Sequence, residues 1–233
     1  MHLSIIIPLY NEAEVIEETI SRLVSISLPG FVDQAEIIVV DDCSSDGSSQ
    51  LAEQLAIGIT HMKVVMLPVN SGKGAAVSAG VREAKGDTII VQDADMELDP
   101  TDIPGLLEKY HKERLDLLSG SRFISGKRYG GYAAPATALN RLFSSIVSKL
   151  TGSRITDMTC GYKIFSRSLF ESLSLREKGF GFETELVTKA LKVQGILYGE
   201  KEVSYHPRRK SQGKKINLAD GITIAGSMFK YGI

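Results

Sequence analysis

The chain has little of what marks several protein classes. Its 233 residues include two cysteines, Cys43 and Cys160, far apart and without a CxxC partner, so neither a disulfide framework nor a cysteine zinc site is expected. The four histidines, His2, His61, His111 and His206, are scattered without ligand spacing, which gives a histidine metal site no support. Charge is nearly balanced, 27 basic against 28 acidic residues for a net of −1. No whole-molecule field is then available to attract nucleic acid, and no nucleic-acid partner is expected. No stretch approaches the roughly 18 to 20 apolar residues that cross a bilayer, so any membrane contact would be peripheral. The start, Met1 running straight into an apolar segment broken at Pro8, lacks the basic leader and cleavage site of a secretory signal, from which a cytoplasmic location is expected.

What is present describes an ordinary globular chain. Hydrophobic residues make up 43% and charged residues 24%, enough to build a substantial core at this length. One domain, 1–233, is expected. Short β-branched runs alternate with helix-period segments: Leu3–Ile7, Glu36–Val40, Lys63–Leu67 and Thr88–Val91 read as strands, and Asp116–Ser121 as one further strand. That rhythm predicts an α/β fold with a mostly parallel central sheet. Asn11, Ser44 or Ser45, and Asn70 or Ser71 stand where helix caps are expected. Ligands of such sheets bind beyond the carboxyl ends of the strands, which are the polar turns Pro8–Glu12, Asp41–Asp46, Asn70–Gly74 and Gln92–Glu97. After about residue 114 the rhythm loosens, dividing a ligand-binding first half (1–114) from a second half (115–233) expected to handle a second substrate. The second half holds a Gly/Tyr/Pro-rich loop from Ser125 to Pro135 and an amphipathic helix. That helix carries the stripe Leu139, Leu142, Phe143, Ile146, Val147 and Leu150.

The sharpest local feature is Gln92-Asp93-Ala94-Asp95 directly after an apolar strand. In extended chain, residues i and i+2 share a side, so Asp93 and Asp95 place two carboxylates together. Two such charges in an open oxygen-ligand site suit Mg²⁺ or Mn²⁺ bridging a diphosphate. Asp41 and Asp42 end another strand and could accept from a base N–H or ribose hydroxyls, with helix capping by Ser44 or Asp46 as the competing reading. The run Asn70-Ser71-Gly72-Lys73-Gly74 lacks the upstream glycine and the Ser/Thr after lysine that a phosphate-binding P-loop requires. Lys73 could meet ligand or solvent. The first βα turn lacks the glycines of a dinucleotide-binding fold.

Taken in order, Ile6-Ile7-Pro8-Leu9-Tyr10-Asn11-Glu12, Val39-Val40-Asp41-Asp42-Cys43-Ser44-Ser45-Asp46-Gly47, Asn70-Ser71-Gly72-Lys73-Gly74, Gln92-Asp93-Ala94-Asp95 and Gly120-Ser121-Arg122-Phe123 resemble the family 2 glycosyltransferases. Within these, the chain looks like the polyprenyl-phosphate (dolichol-phosphate) mannose or glucose synthases. The resemblance implies a three-layer, Rossmann-like GT-A fold, a GDP- or UDP-linked sugar donor, a divalent metal and inversion at the anomeric carbon. It implies nucleotide-sugar contacts at Pro8, Tyr10, Glu12, Asp41, Asp42, Lys73, Asp93 and Ala94, and a metal at Asp93, Asp95 and Gln92. The phosphate of a polyprenyl acceptor would meet Arg122, Arg141, Ser145 and Arg208, and catalysis would rest on Asp93, Asp95, Arg122 and Arg141. A spacing of four puts Arg141 and Ser145 on one helix face, and arginine forks match phosphate oxygens; a solvated polar face is the plainer reading.

The chain departs from that group at Asp157-Met158-Thr159-Cys160-Gly161-Tyr162 and in its basic tail, Pro207–Lys215. The tail's five cations in nine residues are enough to embrace a diphosphate or to lie against anionic lipid headgroups, with a solvated loop as the plainer reading; a peripheral membrane surface or a membrane-anchored partner is expected. Glu183 and Glu185 are candidate acid/base groups, although Glu185 and Lys189 also form an ordinary i,i+4 pair. A family 2 transferase that uses a sugar hydroxyl, or a module that only binds nucleotide sugar, are the alternatives.

Overall fold

The computed structural model describes residues 1–126 and 134–208. Most of the loop Ser125–Pro135, the basic run from residue 209 and the expected helix Leu218–Lys230 lie outside the described residues. The chain alternates as expected as far as residue 121: β1 (His2–Leu9), α1 (Ile16–Ser25), β2 (Gln34–Asp41), α2 (Ser48–Gly58), β3 (Met62–Met66), α3 (Lys73–Glu83), β4 (Thr88–Val91), α4 (Ile103–Lys112) and β5 (Leu117–Ser121). The second half adds α5 (Ala134–Thr151), β6 (Lys163–Ser166), α6 (Arg167–Leu173), α7 (Phe182–Ala190) and β7 (Tyr198–Glu202).

All seven strands join one sheet in the order β3-β2-β1-β4-β6-β5-β7. Every pairing is parallel except those of β6, which runs antiparallel between β4 and β5. The sheet separates two apolar layers because alternate side chains of each strand face opposite ways. Leu3, Ile5, Ile7 and Leu9 of β1 pack with α1 and α4 through Ile16, Ile20, Leu106 and Leu107. Ile6, Ile38 and Ile89 face α3, α5 and α7 through Val77, Phe143 and Leu186. The fold is thus the three-layer α/β arrangement expected.

Three details differ from the sequence reading. The strands β6 and β7 were not expected; Lys163–Ser166 is only four residues and β7 reads Tyr-Gly-Glu-Lys-Glu, without β-branched residues. No side-chain cap closes α1, α2 or α3. The polar residues proposed as caps bind neighbouring turns instead: Ser44 Oγ accepts from the Asn11 N–H at 2.9 Å, and Asn11 Oδ1 accepts from the Ser45 N–H at 2.8 Å. On α5, Phe143 and Val147 are buried, yet Leu142 and Leu150 are 55% and 62% exposed. The apolar stripe is therefore wider than the surface the sheet covers.

Candidate active site

From β1 the sheet order runs to β2 and β3 on one side and to β4 on the other, so the chain reverses direction between β1 and β4. That reversal opens a crevice beyond the strands' carboxyl ends. The turns after β1 and β4 flank it, carrying Tyr10–Glu12 and Asp93–Glu97.

Asp93 leaves β4 and meets the Lys73 ammonium at 2.5 Å; the same ammonium reaches Glu183 at 2.6 Å. Lys73 starts α3 and Glu183 starts α7, so two helix beginnings from opposite ends of the sequence converge on one carboxylate of the β4 turn. Burial alone would lower the Lys73 pKa, but the Asp93 and Glu183 carboxylates more than reverse this and raise it. Lys73 is a permanent cation here, facing the site rather than solvent. Asp93 packs on Gly161, where a Cβ would collide with its carboxylate.

Asp95 points toward the last described residue. The Arg208 guanidinium grips Glu12 through two bonds, Nη1 to Oε2 at 2.7 Å and Nη2 to Oε1 at 2.9 Å, and reaches Asp95 Oδ2 at 3.2 Å. Glu97 accepts from the Arg208 backbone N–H at 2.9 Å and from the Tyr205 hydroxyl at 2.8 Å. Burial, then the charges of Asp93 and Glu97, push the Asp95 carboxyl up to about 7 against the pull of Arg208. This local excess of negative charge suits a hard divalent cation. Among the described residues no three His, Cys, Asp or Glu side chains converge as a protein-only cage. Asp93 and Asp95 match the other arrangement, one or two carboxylates completed by phosphate oxygens and water.

Gln92 is placed differently from the expectation. It is fully buried, its Nε2 donates to the Asp93 carbonyl at 2.9 Å and its Oε1 accepts from the Tyr162 hydroxyl at 2.5 Å. It braces the β4 turn from inside, so it cannot also line the open side as a metal ligand. Ala94 is buried and its carbonyl accepts from Thr19 of α1 at 2.9 Å.

The two aspartates after β2 divide. Asp42 accepts from the N–H groups of Ser71 and Gly72, both at 2.7 Å, and fixes the turn into α3; the direct nucleotide contact expected of it gives way to this backbone anchor. Asp41 accepts from the Ser44 N–H at 3.1 Å, while its Oδ1 is buried without a hydrogen-bond partner among the described residues. Tyr10 lies 39% exposed at the mouth of the crevice, and Pro8 is half-buried at the end of β1.

The expected phosphate-binding arginines also part. Arg122 is buried, with Nε to Asp157 Oδ2 at 2.6 Å and Nη2 to Asp157 Oδ1 at 2.7 Å, and a further bond to Thr159 Oγ1 at 3.0 Å. Its guanidinium also stands 5.1 Å from the Tyr205 ring centroid. Two of its nitrogens are thereby committed to Asp157, much as Arg208 is held by Glu12, so Arg122 is an anchored guanidinium and not the fully open clamp expected. Arg141 is exposed, 5.6 Å from the Phe123 ring centroid, and opens with Ser145 onto a basin of about 370 Å³. Arg208 sits among the donor-side carboxylates, not in that basin.

Sequence reasoning missed the Lys73–Glu183 pair, separated by 110 residues, and the Arg208–Glu12 grip; neither leaves a local pattern. Between the two candidate carboxylates the structure does distinguish. Glu183 joins the site, whereas Glu185 is fully buried, accepts from the N–H groups of Arg176 and Glu177, and pairs with Lys189 at 2.7 Å as expected.

A crevice of carboxylates and paired cations thus lies at the switch point of a three-layer α/β sheet. The family model described as glycosyl transferase family 2 matches residues 4–174, and the chain belongs to that family. It is 28% identical over 218 residues to a dodecaprenyl-phosphate galacturonate synthase of Rhizobium johnstonii, covering 92% of this chain and 62% of that one. To a dolichol-phosphate mannosyltransferase of Pyrococcus furiosus it is 31% identical over 192 residues, covering 81% of this chain and 53% of the relative. Across four of its curated relatives the chain spans 36% to 69% of their length. The fold matches glucosyl-3-phosphoglycerate synthase of Mycobacterium tuberculosis, solved with Mn²⁺, UDP and phosphoglyceric acid, with a TM-score of 0.74 and 22% identity over 100% of this chain and 79% of that one.

Proposed function

We propose that this glycosyltransferase moves a hexose, mannose or glucose, from a GDP- or UDP-linked donor to a polyprenyl phosphate, with inversion at the anomeric carbon. The observation that carries this reading is the separation of two kinds of site. Donor-side carboxylates line the crevice between β1 and β4, while Arg141 and Ser145 open onto a basin whose lining, among the described residues, holds no carboxylate. A phosphate acceptor needs cations; a hydroxyl acceptor needs a base. The names of the two polyprenyl-phosphate relatives support the same acceptor class.

On the donor side, Tyr10 and the unpartnered Oδ1 of Asp41 are the groups for the nucleoside, and Lys73 and Arg208 are the cations for its diphosphate. A Mg²⁺ or Mn²⁺ ion held by Asp93 and Asp95 would neutralise the charge gathering on the departing diphosphate. A phosphate monoester has its second pKa at about 6, so the nucleophile is already ionised near neutral pH. One of its oxygens forms the bond to the anomeric carbon as the bond to the donor phosphate breaks, and no proton has to move. Bringing one anion to another is the costly step, and the chain's cations lower it.

A lipid acceptor brings the chain to a membrane surface, peripherally: among the described residues no helix is long and apolar enough to cross a bilayer. The testing experiment follows radiolabel from a panel of GDP- and UDP-sugars into a polyprenyl phosphate with Mn²⁺, Mg²⁺ or chelator. Metal-dependent labelled lipid is expected; product only with a glycan hydroxyl acceptor would overturn the reading.

A further inference from the structure

The basin beside Phe123 holds more positive charge than the acceptor reading assigns. Its lining includes Arg141, Ser144, Ser145, Ser148, Lys149, Arg154 and Thr156. Among the described residues Arg141, Lys149 and Arg154 make no ion pair, although basic and acidic residues are nearly equal in number along the chain. Glu200, which touches Thr156 of the lining, is committed: its carboxylate accepts from the N–H groups of Thr156 at 2.9 Å and Asp157 at 3.2 Å.

The hydroxyls sort in the same way. Ser144 accepts from the Met158 N–H at 3.1 Å, Ser148 donates to the Ser144 carbonyl at 2.7 Å, and Thr156 bonds Glu200 at 2.6 Å. Ser145 is exposed and has no such bond among the described residues. Three unpaired cations around one concavity repel each other, a cost that an anion of more than one charge removes. Arg141, Ser145 and Lys149 follow one another at spacings of four along α5, one turn apart on one face. Arg154 comes from the turn that follows α5.

On that acceptor reading, we propose that Lys149 and Arg154 are further phosphate-binding residues of this basin, completing for a phosphate monoester dianion the clamp begun by Arg141 and Ser145. The two added cations supply open charge where the Arg122 guanidinium is already committed to Asp157. Exposed Leu142 and Leu150 on the adjoining side of α5 offer an apolar track for the chain of a lipid phosphate. The assignment rests on the reading of the acceptor as a phosphate and goes beyond it in naming which residues select it.

The test titrates farnesyl phosphate into the full chain, wild type and Lys149→Ala, Arg154→Ala and the double variant, with UDP or GDP plus Mn²⁺ as the control ligand. Inorganic phosphate and phosphatidylglycerol vesicles are separate arms. Affinity for farnesyl phosphate is expected to fall about tenfold with each cation lost, and to weaken with salt, while nucleotide binding is unchanged. Stronger binding of farnesyl phosphate than of inorganic phosphate identifies a lipid source; equal binding identifies a free phosphate. Retention of full farnesyl phosphate affinity in the double variant overturns the subsite, as does equal loss of nucleotide binding. The two readings fail separately. Charge-dependent binding with no labelled product from any donor sinks the transfer reaction and leaves the subsite standing; labelled product with an unchanged acceptor KM in the double variant does the reverse.

Discussion

Arg208 and Glu12 lie 196 residues apart in sequence and face each other through two hydrogen bonds of 2.7 and 2.9 Å. The same guanidinium reaches Asp95, so the segment that opens the basic tail is fastened across the mouth of the donor crevice. A donor and its cation must share these carboxylates with Arg208 or displace it. In Arg208→Gln the uncompensated Glu12 and Asp95 are expected to lower stability by about 1 to 2 kcal/mol and to raise the donor KM about tenfold. Urea denaturation and donor saturation kinetics measure the two effects; unchanged values for both would show the grip to be incidental.

Asp95 makes cation binding depend on pH. Its carboxyl is pushed up to about 7, by burial first and then by Asp93 and Glu97, so below that pH a divalent ion must expel a proton. Mn²⁺ affinity in the absence of nucleotide, followed by the paramagnetic signal of the free ion, is expected to rise by up to about tenfold per pH unit below 7 and to level off above it. The sign for folding is opposite to that of an ordinary ion-paired acid. The folded state holds this proton more tightly than the unfolded one, so the group's contribution to stability declines as pH rises from about 4 to about 7.

Asp157 supplies the contrasting case. It accepts from Arg122 through side chain and backbone and from Asn140 at 2.9 Å. Burial alone would raise its pKa, but the Arg122 charge and hydrogen bonds outweigh this and hold it below the usual carboxylate range. Its stabilisation is therefore complete above the unfolded carboxylate pKa of about 4 and is lost as pH falls through the lower folded value. Asp157→Asn should lower stability at pH 7 by about 3 kcal/mol or more, because Arg122 is left buried without its partner. The deficit should shrink in acid, which denaturation curves at pH 3 and pH 7 would show.

Glu183 and Glu185 stand two residues apart and should separate cleanly. Glu185→Gln disturbs the loop whose Arg176 and Glu177 N–H groups it holds, and is expected to lower the melting temperature with the donor KM little altered. Glu183→Gln leaves Lys73 paired with Asp93 alone and is expected to change donor binding several-fold while a phosphate acceptor is still turned over. Abolished turnover in Glu183→Gln would instead identify a general base and a hydroxyl acceptor.

How much of this was legible in the chain depends on the range over which each feature is encoded. The first four strands announce themselves through β-branched runs such as Ile5-Ile6-Ile7 and Ile37-Ile38-Val39-Val40, and the polar turns after them mark the crevice. Asp93 and Asp95 were readable because two carboxylates at a strand's end are a local pattern. What they touch was not: Lys73, Glu183 and Arg208 reach them from distant helices and turns, and only the folded sheet brings these together. Gln92 shows the converse limit. Sequence puts it beside the aspartates, but the alternation of side chains sends it into the core to meet Tyr162. Arg122 likewise carries the right chemistry for phosphate, and its capture by Asp157 depends on a residue 35 positions away.

The antiparallel strand β6 acts as a spacer. With strands about 4.8 Å apart, its insertion sets β5, which leads to Arg122 and Phe123, about 10 Å from β4, which leads to Asp93. The gap between the carboxylate crevice and the Arg141 basin is thus fixed by the count of strands and not by the reach of a loop. A relative that kept every polar residue of both sites but lost β6 would bring them about one strand width closer, and would have to fit a shorter pair of substrates.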